Sequence, residues 1–187
     1  MSHYWRTDRL LSLKNKKILL DANIWTYIFC EIGGTSKFYV HKYSKGFFIL
    51  LKSQNKIYTD LTILSEFVNR YLRISFVNYK KRNKLGAFDY KRDYRKTTDY
   101  EEAWTTVCNI VREKIISNSE IINSEYDQNS IKKLLREDQL GTDFNDNHIV
   151  NLCEIEDMFL MTNDADFKNT NLNVITENSA YWKKGPV

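Results

Sequence analysis

Lys17-Ile18-Leu19-Leu20-Asp21-Ala22-Asn23 is the stretch on which the fold turns. Ile18-Leu19-Leu20 is apolar on both faces, as a central strand of a parallel sheet must be when helices cover both sides, and the run stops at an acid. In open parallel sheets ligands bind beyond the carboxyl ends of the strands, which is where Asp21 stands. An aspartate there can also simply cap the next helix, so placement alone leaves both roles open. Met158-Phe159-Leu160-Met161 repeats the apolar run late in the chain and is followed by Thr162, Asn163, Asp164 and Asp166. By composition that is an ordinary turn. Two acids after two buried strands carry more weight, because carboxylates brought together raise one another's pKa unless a cation intervenes.

Outward from these two strands, Lys56-Ile57-Tyr58-Thr59, Glu120-Ile121-Ile122 and Asn173-Val174-Ile175 read as further short strands. Helical spacing covers Ile24 to Cys30, ended by Gly33-Gly34, then Tyr39 to Ser53, and a long run to about Asn78 that Asp60 or Thr62 could cap. It returns over Asp99 to Ser117, Ser130 to Arg136 with Gly141 beyond, and Asp143 to Glu156; residues 1–14 read as a polar, partly helical lead-in. Strands alternating with helices indicate an α/β domain with a mainly parallel sheet.

The 187 residues suit one domain that buries a core without disulfides, being 42% hydrophobic and 28% charged. No run approaches the roughly 18 apolar residues of a membrane span, and the N-terminus lacks the apolar core of a secretory signal. Cys30, Cys108 and Cys153 are scattered through apolar patterns with no Cys/His cluster, which predicts buried reduced thiols, no zinc and a cytoplasmic protein. The net charge of +4 is uneven. From Arg70 to Lys96, cations including Arg73, Lys80, Lys81 and Arg82 are interleaved with Tyr71, Phe76, Tyr79, Phe88, Tyr90 and Tyr94, a composition suited to a polyanion. Its aromatics could stack on unpaired bases, or be core residues beneath an ordinary solvated face.

Two more acids complete the set. Asp143-Phe144-Asn145-Asp146 resembles a capping box, yet Asp146 shares a helical face with Ile149, Val150 and Cys153, which places an acid on the core-facing stripe. Glu66 shares its face with Thr62, Asn69, Arg70 and Arg73, and spacing alone describes a solvated surface.

In order, Leu-Leu-Asp21-Ala-Asn23-Ile-Trp, Leu-Thr-Ile-Leu-Ser-Glu66-Phe, Asp143-Phe-Asn-Asp146-Asn-His148-Ile-Val and Phe-Leu-Met-Thr162-Asn-Asp164-Ala-Asp166-Phe resemble the motifs of the PIN-domain ribonucleases, VapC-type toxins included. The resemblance spans about Ile18 to Ile175. It implies a three-layer α/β/α PIN-like domain over residues 1–187, with a core of about 17–176 and a basic helical elaboration at about 75–100. The metal-binding and catalytic acids would be Asp21, Glu66, Asp146 and Asp164, with Asp166 or Asp143 as additional carboxylates and Asn23 and Thr162 as polar support. Asp143 and Asp146 both fit the third motif. Hard oxygen donors imply Mg²⁺ or Mn²⁺. The implied activity is metal-dependent endonucleolytic hydrolysis of single-stranded RNA by the toxin of a type II toxin–antitoxin pair. Arg70, Arg73, Lys80, Lys81 and Arg82 would contact RNA, an antitoxin would be the protein partner, and a homodimer is expected by analogy; no membrane is involved.

Other readings are a catalytically silent RNA- or partner-binding domain and a housekeeping or defence nuclease. An aspartate-nucleophile phosphatase would need an acid two residues after Asp21, where Asn23 stands. His148 is expected to pack or to bind backbone.

Overall fold

Strands β1 (Tyr4–Trp5), β2 (Lys17–Leu20), β3 (Lys56–Thr59), β4 (Glu120–Ile121), β5 (Phe159–Met161) and β6 (Asn173–Ile175) form one six-stranded sheet in the order β1-β6-β5-β2-β3-β4. Every pairing is parallel, so the sheet expected to be mainly parallel is wholly so among the described residues. The computed structural model describes residues 3–30, 36–123, 126–135 and 143–182. Gly33, Gly34, Arg136 and Gly141, read above as helix ends, lie outside them.

The sheet is flanked by α1 (Ala22–Phe29), α2 (Lys37–Lys52), α3 (Leu61–Arg82), α4 (Thr98–Ile110), α5 (Gln128–Leu134) and α6 (Phe144–Ile155). Ile18, Leu19, Leu20, Leu160 and Met161 are fully buried, as unbroken apolar runs require of central strands. Trp25 stacks on Phe29 and meets the edge of Phe47, which locks α1 to α2. At Gly46, α2 passes so close to the sheet that an added Cβ would lie 3.1 Å from Thr7 Cγ2 and 3.2 Å from Met161 Cε. That approach explains a glycine inside a helix.

The lead-in is partly helical as expected, a 3₁₀ helix over Thr7–Ser12, but strand β1 ahead of it is not expected from the sequence. Two residues are too few for the strand period to register. A tertiary clasp fixes the segment: Glu177 Oε1 accepts from Thr7 N at 2.9 Å and Thr7 Oγ1 at 2.5 Å, and Tyr4 and Trp5 pair with Val174 and Ile175. Helix α3 runs a turn past Asn78 because Phe76 and Tyr79 still have rings to pack on. Beyond Ile110, a π-helical turn over Val111–Ile115 and a 3₁₀ turn over Ile116–Asn118 prolong α4. Helix α5 starts at Gln128, before Ser130, because the Asp127 side chain caps it.

The basic segment is corrected in one respect. Tyr71, Tyr90 and Tyr94 are buried, and Phe76, Tyr79 and Phe88 are partly buried against them, with Phe76, Tyr79, Tyr90 and Tyr94 at ring separations of 5.3 to 5.9 Å. With few aliphatic residues to cover the α3–α4 junction, the segment covers it with rings, which are therefore not free to stack on bases. The thiols are corrected too: Cys30 and Cys153 are buried, but Cys108 is only half-buried, and no disulfide joins them. Among the described residues no helix is long and apolar enough to cross a membrane.

Candidate active site

β2 and β5 are neighbours; from β2 the chain proceeds outward to β3 on one side and returns as β5 on the other. That reversal opens a crevice at the carboxyl ends of the two strands, the usual ligand position in such sheets. Asp21 and Asp164 both lie there.

Asp21 occupies the N-cap position of α1, but its side chain caps nothing. Its backbone carbonyl accepts from Ile24 N and Trp25 N, while Oδ2 takes bonds from Asn23 Nδ2 at 2.5 Å and Thr162 Oγ1 at 2.6 Å. Thr162 Oγ1 in turn accepts from Asp164 N at 3.0 Å, and Asn23 Oδ1 accepts from Asn163 N at 3.0 Å. Asn23 and Thr162 thus latch the two strand ends around one carboxylate. Burial raises the Asp21 pKa from 3.8 to about 6, with the Thr162 bond pulling it down and the Glu66 charge pushing it up.

Glu66 enters from α3, whose first turn is capped by Asp60 Oδ1 accepting from Ile63 N at 2.8 Å. It is half-buried, 3.8 Å from Arg70, and faces the other acids rather than open solvent alone. Burial raises its pKa, Arg70 opposes the rise, and Asp143, Asp146 and Asp164 add to it. Asp146 is half-buried at the third position of α6 in a reciprocal capping box: Asp143 Oδ1 accepts from Asp146 N at 2.9 Å, and Asp146 Oδ2 from Asp143 N at 3.4 Å. Burial first, and Asp143 second, push its carboxyl from 3.8 to about 6, with Asp164 and Asp166 contributing. Cap and cluster member are thus one residue. Asp143, Asp164 and Asp166 are exposed, and Asp166 N donates to Asp164 Oδ1 at 3.1 Å.

The fold therefore brings the four acids, with Asp143 and Asp166, within reach of one another's charge. Among the described residues no three His, Cys, Asp or Glu side chains stand close enough to form a finished ligand cage, and no ion pair reaches Asp21, Asp146 or Asp164. The donors in the cluster are all carboxylate oxygens, partly desolvated, with like charges holding one another apart, a chemistry that suits a hard cation over a soft one.

The cations divide. Arg70 lies beside Glu66 and near the Tyr27 hydroxyl. Arg73 is one turn on, its guanidinium 4.0 Å from the Tyr90 ring centre. Lys80, Lys81 and Arg82 are not brought to the acids; at 1.5 Å per residue they lie roughly 21–24 Å along α3 from Glu66. Arg82 is committed to Asp99 at 2.5 Å.

Three contributors escape sequence reasoning. His148 is buried, with Nε2 bonded to Asp60 Oδ2 and Nδ1 to the Tyr126 hydroxyl, so it binds side chains rather than backbone. Tyr27 receives a bond from Asn163 Nδ2 at 3.3 Å, and Tyr43 donates to Asn163 Oδ1 at 2.7 Å, fixing the residue between Thr162 and Asp164. These partners are far apart in the chain, and no local spacing signals them.

Compared with solved structures, the chain resembles one in the crystal structure of VapBC2 from Rickettsia felis bound to a DNA fragment from their promoter: TM-score 0.50 and 18% identity over 86% of this chain and 98% of that one. The fold is PIN-like. The sequence itself matches no protein-family model and no curated protein at a significant level. In this PIN-like fold the acids occupy the switch point of the sheet, reached from four separate elements.

Proposed function

We propose that the protein is an Mg²⁺- or Mn²⁺-dependent endoribonuclease acting on single-stranded RNA, and the toxin of a type II toxin–antitoxin pair. The observation that carries the activity is Asp21, a 5% exposed carboxylate at the switch point, within reach of the Glu66 charge and with no ion pair of its own among the described residues. Asp21, Glu66, Asp146 and Asp164 would hold the cation, with Asp143 and Asp166 at the rim; bound there, it would supply charge to offset the carboxylates and to activate water toward a phosphodiester. Asn23 and Thr162 fix the orientation of the Asp21 carboxylate through Oδ2. Arg70 presents a guanidinium at the rim where a phosphate would lie.

The test is cleavage of single-stranded RNA by purified protein with Mg²⁺ or Mn²⁺ and with EDTA. Cleavage that survives EDTA would remove the metal from the mechanism. Arg70→Ala is expected to raise KM about tenfold and lower the salt slope of RNA binding by about one. Lys81→Ala, far along α3, should change KM much less; equal effects in filter binding would move the RNA track onto the distal helix.

The likeness to a chain of VapBC2 supports the toxin role. A groove of about 960 Å³ between α1 and α2 suits the antitoxin: Ile28, Phe48 and Ile49 give an apolar wall, and Lys37, Lys45 and Lys52 a cationic edge. That chemistry fits an amphipathic segment with acidic flanks. Phe48, 62% exposed, is the natural anchor. Phe48→Asp should weaken binding of the product of the neighbouring reading frame by about 30-fold or more, as loss of a central anchor does. Unchanged affinity in calorimetry would place the antitoxin elsewhere.

A further inference from the structure

His148 and Asp60 are 6% and 5% exposed at their side chains, and the reaction as described uses neither. Asp60 follows β3 and spends Oδ1 on the first turn of α3, where it accepts from Ile63 N. Its Oδ2 faces His148 Nε2, and the Tyr126 hydroxyl faces His148 Nδ1. Both ring nitrogens of His148 are thus engaged by side chains, one from the start of α3 and one from the segment before α5, and the two contacts fix the ring plane.

Its position gives it a task. Glu66 lies six residues beyond Asp60 on α3, and Asp146 two residues before His148 on α6. α6 buries Ile149, Leu152 and Cys153 in the core, which seats the helix but does not fix how close its first turn lies to α3. The carboxylates of Glu66 and Asp146 raise the cost of bringing those first turns together, and the buried Asp60–His148 contact joins the two helices directly.

We propose, resting on the nuclease reading above, that the Asp60–His148–Tyr126 chain holds α6 against α3 at the spacing that lets Glu66 and Asp146 serve one cation. His148 is a positioning residue: it acts through Asp146 and touches neither cation nor RNA. Tyr126 sets the ring so that Nε2 meets Asp60.

The test measures Mn²⁺ binding to the full chain by calorimetry, alongside KM for RNA and thermal melting. His148→Ala is expected to weaken Mn²⁺ binding about tenfold or more, the scale on which supporting partners of metal ligands act. KM for RNA should stay near wild type, a split that general destabilisation would not produce. Gln can place an amide N–H near the Nε2 position, so His148→Gln should restore binding to within about threefold of wild type, well inside the usual outer-partner loss. Tyr126→Phe, which keeps the ring packing, should fall between the two and decides the matter if His148→Ala does not fold. Wild-type Mn²⁺ affinity in His148→Ala or, failing that, in Tyr126→Phe, or no recovery in His148→Gln, would overturn the positioning role while leaving the nuclease reading intact. Absence of Mn²⁺ binding in the wild type, or binding unaffected by Asp21→Asn, would overturn both.

Discussion

Asp21→Asn is expected to abolish RNA cleavage while making the metal-free protein more stable. The loss in kcat should be at least about a thousandfold, some 4 kcal/mol of barrier. Asn keeps the shape and offers one oxygen to the Asn23 and Thr162 donors, so the latch between the strand ends survives. What disappears is a buried negative charge. Burial lifts the Asp21 carboxyl to about 6 from 3.8, a folded-state cost at neutral pH on the order of 3 kcal/mol. Removing it should raise the melting temperature in chelator by several degrees, at about 2–4 °C per kcal/mol for a chain of this size. A merely structural Asp21 would give the opposite pair of results. Parallel RNA-cleavage and melting assays decide, and full activity in the variant would sink the proposed chemistry.

Metal-free wild-type protein should lose stability as pH rises from 4 to 7. The sign follows from the raised values: Asp21 and Asp146 stand at about 6 when folded, against 3.8 ordinarily. Below 3.8 both states are protonated and the contribution is fully present. Between 3.8 and 6 the unfolded chain ionises first, and stability drains away until the folded carboxyls have also ionised. Asp21 alone supplies about 3 kcal/mol of this slope. Asp146, half exposed, adds a smaller part in the same direction, and Glu66 shares the sign. Asp89, Asp93 and Glu120 are shifted downward and act oppositely, but they lie at the surface, Asp93 partly covered, where solvent screens them. Urea denaturation with chelator at pH 4, 5, 6 and 7 should show the decline, Asp21→Asn should flatten it, and Mn²⁺ at pH 7 should reverse it. Stability climbing steadily from pH 4 to 7 would contradict the burial argument.

The sequence is legible where the physics is local. Ile18-Leu19-Leu20 and Phe159-Leu160-Met161 declare buried strands because nothing polar interrupts them, and Asp143 with Asp146 declares a helix start because both halves of the box lie within four residues. Lys56–Thr59 and Asn173–Ile175 are likewise strands at the residues expected. What depends on distant partners is not legible. Tyr4–Trp5 is a strand only because β6 is there to pair with it. Whether Asp21 caps or turns to Thr162 depends on a loop 141 residues away, and His148 finds Asp60 across 88. Glu66 looks like a solvated face until α6 places Asp143 and Asp146 opposite it. The tyrosines of the basic segment leave two readings open in the sequence, base-stacking surface or core, and only their packing decides for core.

The pairing of β1 with β6 also bears on timing. The first strand of the sheet meets only the last one, and Asp21 finds its hydroxyl partner in a residue made 141 positions later. A nascent chain emerging from the ribosome can build β2, β3 and the helices between them, yet its buried carboxylate waits for Thr162 and its first strand for Val174 and Ile175. A chain cut short between Ile155 and Thr162 carries helices α1 to α6 and neither of these closures, so order at the crevice comes late in synthesis whatever the helices have already done.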